Sequence, residues 1–486
     1  MLLAALFAAA LPAEEPPLHV GVAVVDITPG DSYPMSGYYH ERLSTAAKDP
    51  LFAKALVFRQ GDVAAAWVVC DLIGIAADLT AAVRERAAPQ TGIPASHIIL
   101  SATHTHTGPD YGKELFAVAT GRPIPHGAKP RDPYVPRLVE AIVSAIIQAS
   151  DSARPTTILA GTTLPQTPIA FNRRFLMKDG TVRTWASLKD ADVVHAAGPI
   201  DPEIGIVAFR DVAHSAPSTV LSSFALHLDT VGGTEWSADY PFFIERTIKK
   251  HLGGDVVSVF GTGCCGNINH VDPARTERNK TDFIGTSLGT AICHALPHLA
   301  AVDQPTMQVR RAVVAAPLQD STPEQLEASK GLLREIQTGK TADFFAHVDA
   351  YKRVVLEGLR NRVNADEAMS LIGWGLTSSL SGSGDHLPLE VHVITFGQDV
   401  AIVTLPGEVF VELGLAIKNA SPFRTTLVVE LSNVVETVYV PHRYAYVGGG
   451  YEVLNSTLEP GAGELLAEAA IRLLAEAARE IAKRAR

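Results

Sequence analysis

Residues 96–109 read SHIILSATHTHTGP, an apolar run that gives way at Thr103 to His104 and His106 and then to the turn signal Thr107-Gly108-Pro109. Ile98, Ile99 and Leu100 in succession suit a strand covered on both faces rather than a half-exposed one. The same pattern recurs in both directions. Runs such as LHVGVAVVDI, AKALVFRQ, VAAAWVVCDLIGI, STVLSSFALH, DVVSVFG, VHVITFG, VAIVTL and TLVVEL read as strands. They alternate with the helical patterns ADLTAAVRERAA, DPYVPRLVEAIVSAIIQA, PFFIERTIKKHL, DFIGTSLGTAICHAL and GEVFVELGLAIKNA. Such alternation predicts an α/β fold with a mixed β-sheet core flanked by helices.

Three stretches stand outside this rhythm. Residues 110–135 are rich in Gly, Pro and charge and read as a long surface loop, whereas 320–365 are charged and helical and read as a helical excursion. In the closing stretch, Leu465, Leu466, Ala469, Leu473, Leu474 and Ala477 fall at helical spacing, which predicts a helix packed on the sheet. Hydrophobic residues make up 47% of the 486 and charged residues 19%, the balance of a folded globular chain. A net charge of -11, with no long Lys/Arg cluster, argues against nucleic acid as a partner.

Residues 1–16 begin MLLAALFAAALPA, an apolar run ending in small residues, and read as a signal peptide. The expectation is a secreted or periplasmic protein with one catalytic domain over 17–486. No later run reaches 18 apolar residues, so stable membrane insertion is not expected. The four cysteines (Cys70, Cys264, Cys265 and Cys293) contain no C-x-x-C pair, which argues against a thiolate zinc site.

In an extended backbone, positions i and i+2 point the same way, so His104 and His106 would face one spot at a strand end. A metal site and a hydrogen-bonded histidine pair are both compatible with that. Other apolar runs also end in a candidate ligand: STVLSSFAL in His227, and DVAIVTLPG in Glu408 at the start of a helical pattern. Two imidazoles and a carboxylate match the donor preferences of a catalytic zinc.

The segment SATHTHTGPD resembles the zinc-binding segment of the neutral (non-lysosomal) ceramidases. DITPG at 26–30, FNRR at 171–174, FALHLDT at 224–230, LPGE at 405–408 and YVPHRYAYVGGGYE at 439–452 follow in the same order. The likeness spans roughly residues 18–486. It implies one zinc ion per chain with ligands His104, His227, Glu408 and Tyr439, and it implies that His106, Arg173 and Tyr451 face the substrate carbonyl. Tyr439 is nominated by the resemblance alone, through its twelve-residue spacing from Tyr451, with Tyr446 as the local competitor. Two departures bear on function. GCCGNINH at 263–270 puts Asn269 where the family has a serine, which favours a metal-water mechanism over a serine nucleophile. The family's C-terminal β-sandwich is not expected here, which puts long-chain ceramide in question but not the hydrolytic core.

The function implied is zinc-dependent hydrolysis of an amide, in N-acylsphingosine or a related acyl amide. Zinc lowers the pKa of its water to about 7, Arg173 and Tyr451 stabilise the oxyanion, and His106 either moves the proton or orients the substrate. The alternatives are a zinc hydrolase of a non-sphingolipid acyl amide, such as an N-acyl amino sugar, and a non-catalytic metal-containing binding protein. Asp71 and Asp229 are candidates either to orient the ligating imidazoles or to cap loops. His270 and Asp272 are candidates to line the pocket. One of the neighbours Arg173 and Arg174 is expected in a structural salt bridge.

Overall fold

The computed structural model describes residues 15–484 apart from 125–132, 215, 276–277, 304 and 363–364. Nearly all of the signal-like segment lies outside the described residues. A large sheet is built from β1 (His19–Asp26), β2 (Phe52–Gln60), β3 (Val63–Cys70), β4 (Ile98–Ala102), β5 (Arg154–Thr163), β6 (Ile204–Asp211), β7 (Thr219–Phe224) and β8 (Val257–Thr262). Its order is β8-β7-β6-β5-β1-β2-β3-β4, with the short pair Ala300–Ala301 added on β5. The β7–β8 and β3–β4 pairs are parallel and the others antiparallel, so the sheet is mixed, as the sequence predicts.

A second sheet consists of β9 (Met307–Pro317), β10 (His386–Phe396), β11 (Val400–Thr404) and, beyond the two-residue β12 (Glu408–Val409), β13 (Thr425–Val429). The inner faces of the two sheets interleave. Leu56, Phe58 and Trp67 pack with Ile394, Phe396 and Val429, all buried, and the Phe58 and Phe396 rings lie 5.2 Å apart. Helices cover both outer faces. α1 (Ala77–Thr91), α2 (Gly112–Thr120) and α3 (Val135–Asp151) pack on the β1–β4 half of the first sheet, and α4 (Tyr240–Leu252) and α5 (Thr281–Ala295) on the β6–β8 half. α6 (Pro323–Gln337), α7 (Phe344–Arg360), α8 (Ala365–Leu371), α9 (Val411–Ala420) and α10 (Ala462–Arg484) cover the second sheet. Four layers result, helix–sheet–sheet–helix. Because each sheet is covered twice, the strands read as continuous apolar runs.

The excursion at 320–365 is helical as predicted, and α6 opens on a capping box between Thr322 and Gln325. The loop reading of 110–135 is corrected in its first half. Residues Gly112–Thr120 are α2, because Leu115 and Phe116 bury against the core, while 125–132 fall outside the described residues.

What positions the site is the curl of the large sheet. β4 and β8 close its opposite edges, yet their carboxyl ends meet. Thr262 Oγ1 donates to Thr103 O at 2.7 Å, and Gly261 lies against the Trp67 ring. The segment after β13 wedges between them, with Glu430 N donating to Thr262 O and Ala102 N donating to Leu431 O. Leu431 and Asn433 hold left-handed backbone there, at φ 56° and 64°.

Away from the site, Glu390 of β10 joins α1 to the second sheet. It accepts from Arg84 Nη1 at 3.0 Å and Nη2 at 2.7 Å, and from Arg311 at 2.5 Å. Burial pushes its pKa upward, but the hydrogen bonds and charge of Arg84 outweigh this and hold it at about 2 against an ordinary 4.5. A depressed carboxylate stabilises the fold above its unfolded pKa and loses that contribution as pH falls through the folded one. Urea unfolding should therefore find Glu390→Gln less stable than the native chain at pH 7, with the gap closing as pH falls from about 4.5 towards 2. A gap independent of pH would contradict the pairing.

Candidate metal centre

β4 ends at Ala102, and His104 sits in left-handed backbone at φ 75°. The two imidazoles thus converge through a turn, and not by the alternation of an extended strand that the sequence reading assumed. Each histidine is fixed by a carbonyl. His104 Nδ1 donates to Ile73 O at 2.6 Å, His106 Nδ1 to Gly37 O at 3.1 Å, and His227 Nδ1, three residues past β7, to Cys265 O at 3.2 Å. A carbonyl only accepts, so each Nδ1 carries a proton, and in the neutral ring Nε2 then presents a lone pair. Gly37 is required where it stands. At φ 101° it lies so close to His106 that a Cβ would come within 2.7 Å of the His106 carbonyl oxygen.

The three Nε2 atoms point at one place. His104 Nε2 lies 3.0 Å from His227 Nε2 and 3.4 Å from His106 Nε2. Glu408 supplies the fourth group, its Oε2 lying 3.4 Å from His104 Nε2 and 3.6 Å from His227 Nε2. Glu408 is not at a helix start, as the sequence suggested. It lies on β12, whose parallel partner β14 (Tyr439–Val440) sets Glu408 opposite Tyr439, and the helix begins at Val411.

These residues fit a metal ion. Ligand atoms of His104, His106 and His227 all lie within 4.8 Å of one another, so the cluster offers three imidazoles where the sequence reading counted two as ligands. Glu408 Oε2 is buried and has no hydrogen-bond partner among the described residues, and Nε2 of His104 and of His227 face it at 3.4 and 3.6 Å. Lone pairs of like charge crowded in a buried space repel, and a divalent cation between them removes the conflict. Burial, then the charge of neighbouring His104, lowers the pKa of His106 to about 4, while burial, then Arg173, holds His227 well below its ordinary value. Both rings are neutral at pH 7, as a ligand must be. Burial opposes charge on His104 too, but the Glu408 carboxylate outweighs it and raises the pKa.

Arg173 borders the cluster, fully buried. Its Nε donates to Glu452 at 2.8 Å, and its Nη2 donates to Gly266 O at 2.8 Å and to the Tyr439 hydroxyl at 2.9 Å. The Tyr451 ring centroid is 5.7 Å from that of Tyr439. Tyr446 instead donates to Leu458 O at 2.7 Å, so the structure brings Tyr439, not its competitor, alongside Glu408 and Arg173.

The remaining candidates divide. Both Arg173 and Arg174, rather than one of them, pair with Glu452, Arg174 Nη1 at 2.9 Å. Asp71 accepts from Phe52 N and Thr103 Oγ1 and so braces the loop beside His104 without touching an imidazole. Asp229 pairs with His270 Nδ1 at 3.0 Å, and not with a ligating ring. Asp272 caps its own turn at Ala274 N, and Asn269 accepts from Val271 N while pairing in register with Phe171, two residues before Arg173. Sequence reasoning missed Gly37 and Glu452. The second stands in the quoted YE string, where its adjacency to Tyr451 was the available signal.

Among solved structures, neutral ceramidase from Pseudomonas aeruginosa matches with a TM-score of 0.65 and 18% identity, covering 96% of this chain and 75% of that one. A ceramidase complexed with C2 matches with a TM-score of 0.67 and 18% identity, covering 96% and 76%. The fold is that of neutral ceramidase. At that identity the likeness is one of architecture, and no family model and no curated relative matches the chain. Within this ceramidase fold, the metal-fitting cluster rests on this chain's own residues.

Glu452 is fully buried between the two guanidinium groups and also accepts from Thr184 Oγ1 at 2.9 Å. Removing one partner of a buried ion pair typically costs about 3–5 kcal/mol. Glu452→Ala should lose about that much in denaturant unfolding, and a loss below ~1 kcal/mol would contradict its bracing role.

Proposed function

We propose that this chain is a zinc-dependent hydrolase of linear acyl amides, ceramidase-like in its chemistry, exported through its apolar leader and acting through one catalytic domain over 17–486. The observation that carries this reading is the convergence of imidazole lone pairs and the orphaned Glu408 oxygen beside a buried arginine. In this reading His104, His227, Glu408 and Tyr439 hold one zinc ion. The ion supplies Lewis acidity, towards water and towards an amide carbonyl.

The chain's own groups do the rest. Arg173 spends Nε and Nη2 on Glu452, Gly266 and Tyr439, which fixes the guanidinium plane and leaves Nη1 to donate to the developing oxyanion. Tyr451, held half-buried against Tyr439, adds a phenolic donor. A single such donor is typically worth about 100- to 1,000-fold in rate. His106, neutral and half-buried at the cluster's outer side, carries a proton to the departing amine.

An aromatic rim favours an amide with an apolar chain over an N-acyl amino sugar. Trp185 and Phe344, 48% and 42% exposed, each pack on Tyr451, with centroids 4.8 and 5.8 Å away. Phe345, 44% exposed, extends the patch, and neither phenylalanine offers the hydrogen bonds a sugar needs. Clustered exposed apolar side chains beside a site are one mark of a ligand-binding groove. Both structural neighbours are ceramidases, which points the same way.

Metal analysis should find one zinc per chain. His104→Ala should lose the metal and activity together, whereas His106→Ala should keep the metal and lose at least ~100-fold in turnover. Full activity of either variant with no metal present would sink the mechanism. Trp185→Ala should raise KM for long-chain acyl amides about tenfold, the worth of one buried side chain, and leave acetyl amides unchanged. Equal effects on both would remove the rim from substrate binding.

A further inference from the structure

Glu430 follows β13 and belongs to none of the groups so far placed around the cluster. Its side chain is fully buried, and its bonds reach two ligand-bearing segments at once. One oxygen, Oε2, accepts from Val409 N at 2.6 Å and from Cys265 N at 3.1 Å. The other, Oε1, meets Cys265 Sγ at 3.0 Å. Val409 is the residue after Glu408. Cys265 is the residue whose carbonyl holds His227 Nδ1, and its sulfur lies 3.7 Å from that same nitrogen. The Glu430 backbone reaches a third segment, since its N–H donates to Thr262 O and Thr262 Oγ1 in turn donates to Thr103 O, one residue before His104.

We infer that Glu430 is the positioning residue of this centre, a clamp that sets Glu408 and His227 against each other by holding Val409 N–H and Cys265 N–H on one oxygen atom. The inference rests on the metal-site reading above and goes beyond it, because Glu430 touches neither the ion's place nor the substrate's. Neither N–H has another acceptor among the described residues, so loss of the oxygen leaves two buried donors unpaired, and the segments must shift to find water. The His227 ring then loses the fixed carbonyl that sets its tautomer. Groups that orient ligands in this way typically contribute about 10- to 100-fold in metal affinity. A charge on Glu430 is not required. An amide oxygen accepts the same two bonds, and an amide N–H₂ can face the sulfur.

The test uses the full chain with Glu430→Gln, Glu430→Asp and Glu430→Leu. Zinc affinity is measured by competition with a chromophoric chelator, and the downfield ring N–H protons are followed by NMR in the metal-free protein. Glu430→Gln should bind zinc within about threefold of the native chain. Glu430→Asp, with its acceptor drawn back by one methylene, and Glu430→Leu should bind about 10- to 100-fold more weakly. In both, the His227 Nδ1–H resonance should be lost or shifted while that of His104, held by Ile73 O, remains. Should Glu430→Leu fail to fold, Glu430→Asp carries the test. Native affinity and an unchanged His227 resonance in Glu430→Asp would overturn the clamp, as would a loss in Glu430→Gln equal to that in Glu430→Asp. If the native chain takes up no zinc, the functional reading fails, and the His227 resonance still decides the clamp.

Discussion

Nitrogen and oxygen lone pairs that share one point repel each other, and a fold that holds them there has to restrain every one. In this chain the restraint is applied from behind. Ile73, Gly37 and Cys265 each offer a carbonyl to the Nδ1 of one histidine, which fixes the tautomer and turns Nε2 inward. Glu408 completes the cluster with an oxygen that has no hydrogen-bond partner among the described residues. Backbone carbonyls do here what carboxylates do in many metal sites, and Asp71 and Asp229 are thereby released to brace loops and to pair with His270.

The architecture exists to bring those carbonyls together. Two sheets packed face to face leave the large one free to curl, as the right-handed twist of strands encourages, until its edges meet at Thr103 and Thr262. The 430–433 segment then seals the seam in left-handed backbone, and non-glycine residues in that conformation persist only where their surroundings over-determine it. Arg173 enters from outside this frame, anchored by Glu452. The site is thus assembled from segments far apart in sequence, and its stability is inseparable from that of the seam.

Much of this was legible in the sequence. Strands buried on both faces leave unbroken Val and Ile runs, so the α/β class, the helical excursion and the closing helix could all be read. His104, His227 and Glu408 were legible because each follows such a run at its carboxyl end. The second sheet was not legible as separate, since periodicity reports burial and not which sheet a strand joins. Nor was the turn at His104, because left-handed backbone at a histidine leaves no compositional trace. Tyr439 needed the family resemblance. Its partner strand is two residues long, too short for any pattern, and Glu430 lies inside the run TLVVEL, where a lone acid near a strand end carries no signal of the bonds it makes.

The account is tested most directly by the zinc K-edge absorption spectrum of the full chain loaded with one equivalent of zinc. Cys264 and Cys265 lie close by as free, buried thiols, so the identity of the donors discriminates sharply. The account predicts a first shell of imidazole nitrogen and oxygen at about 2.0–2.2 Å with no sulfur. A sulfur shell near ~2.3 Å, or zinc that stays hydrated in solution, would contradict it.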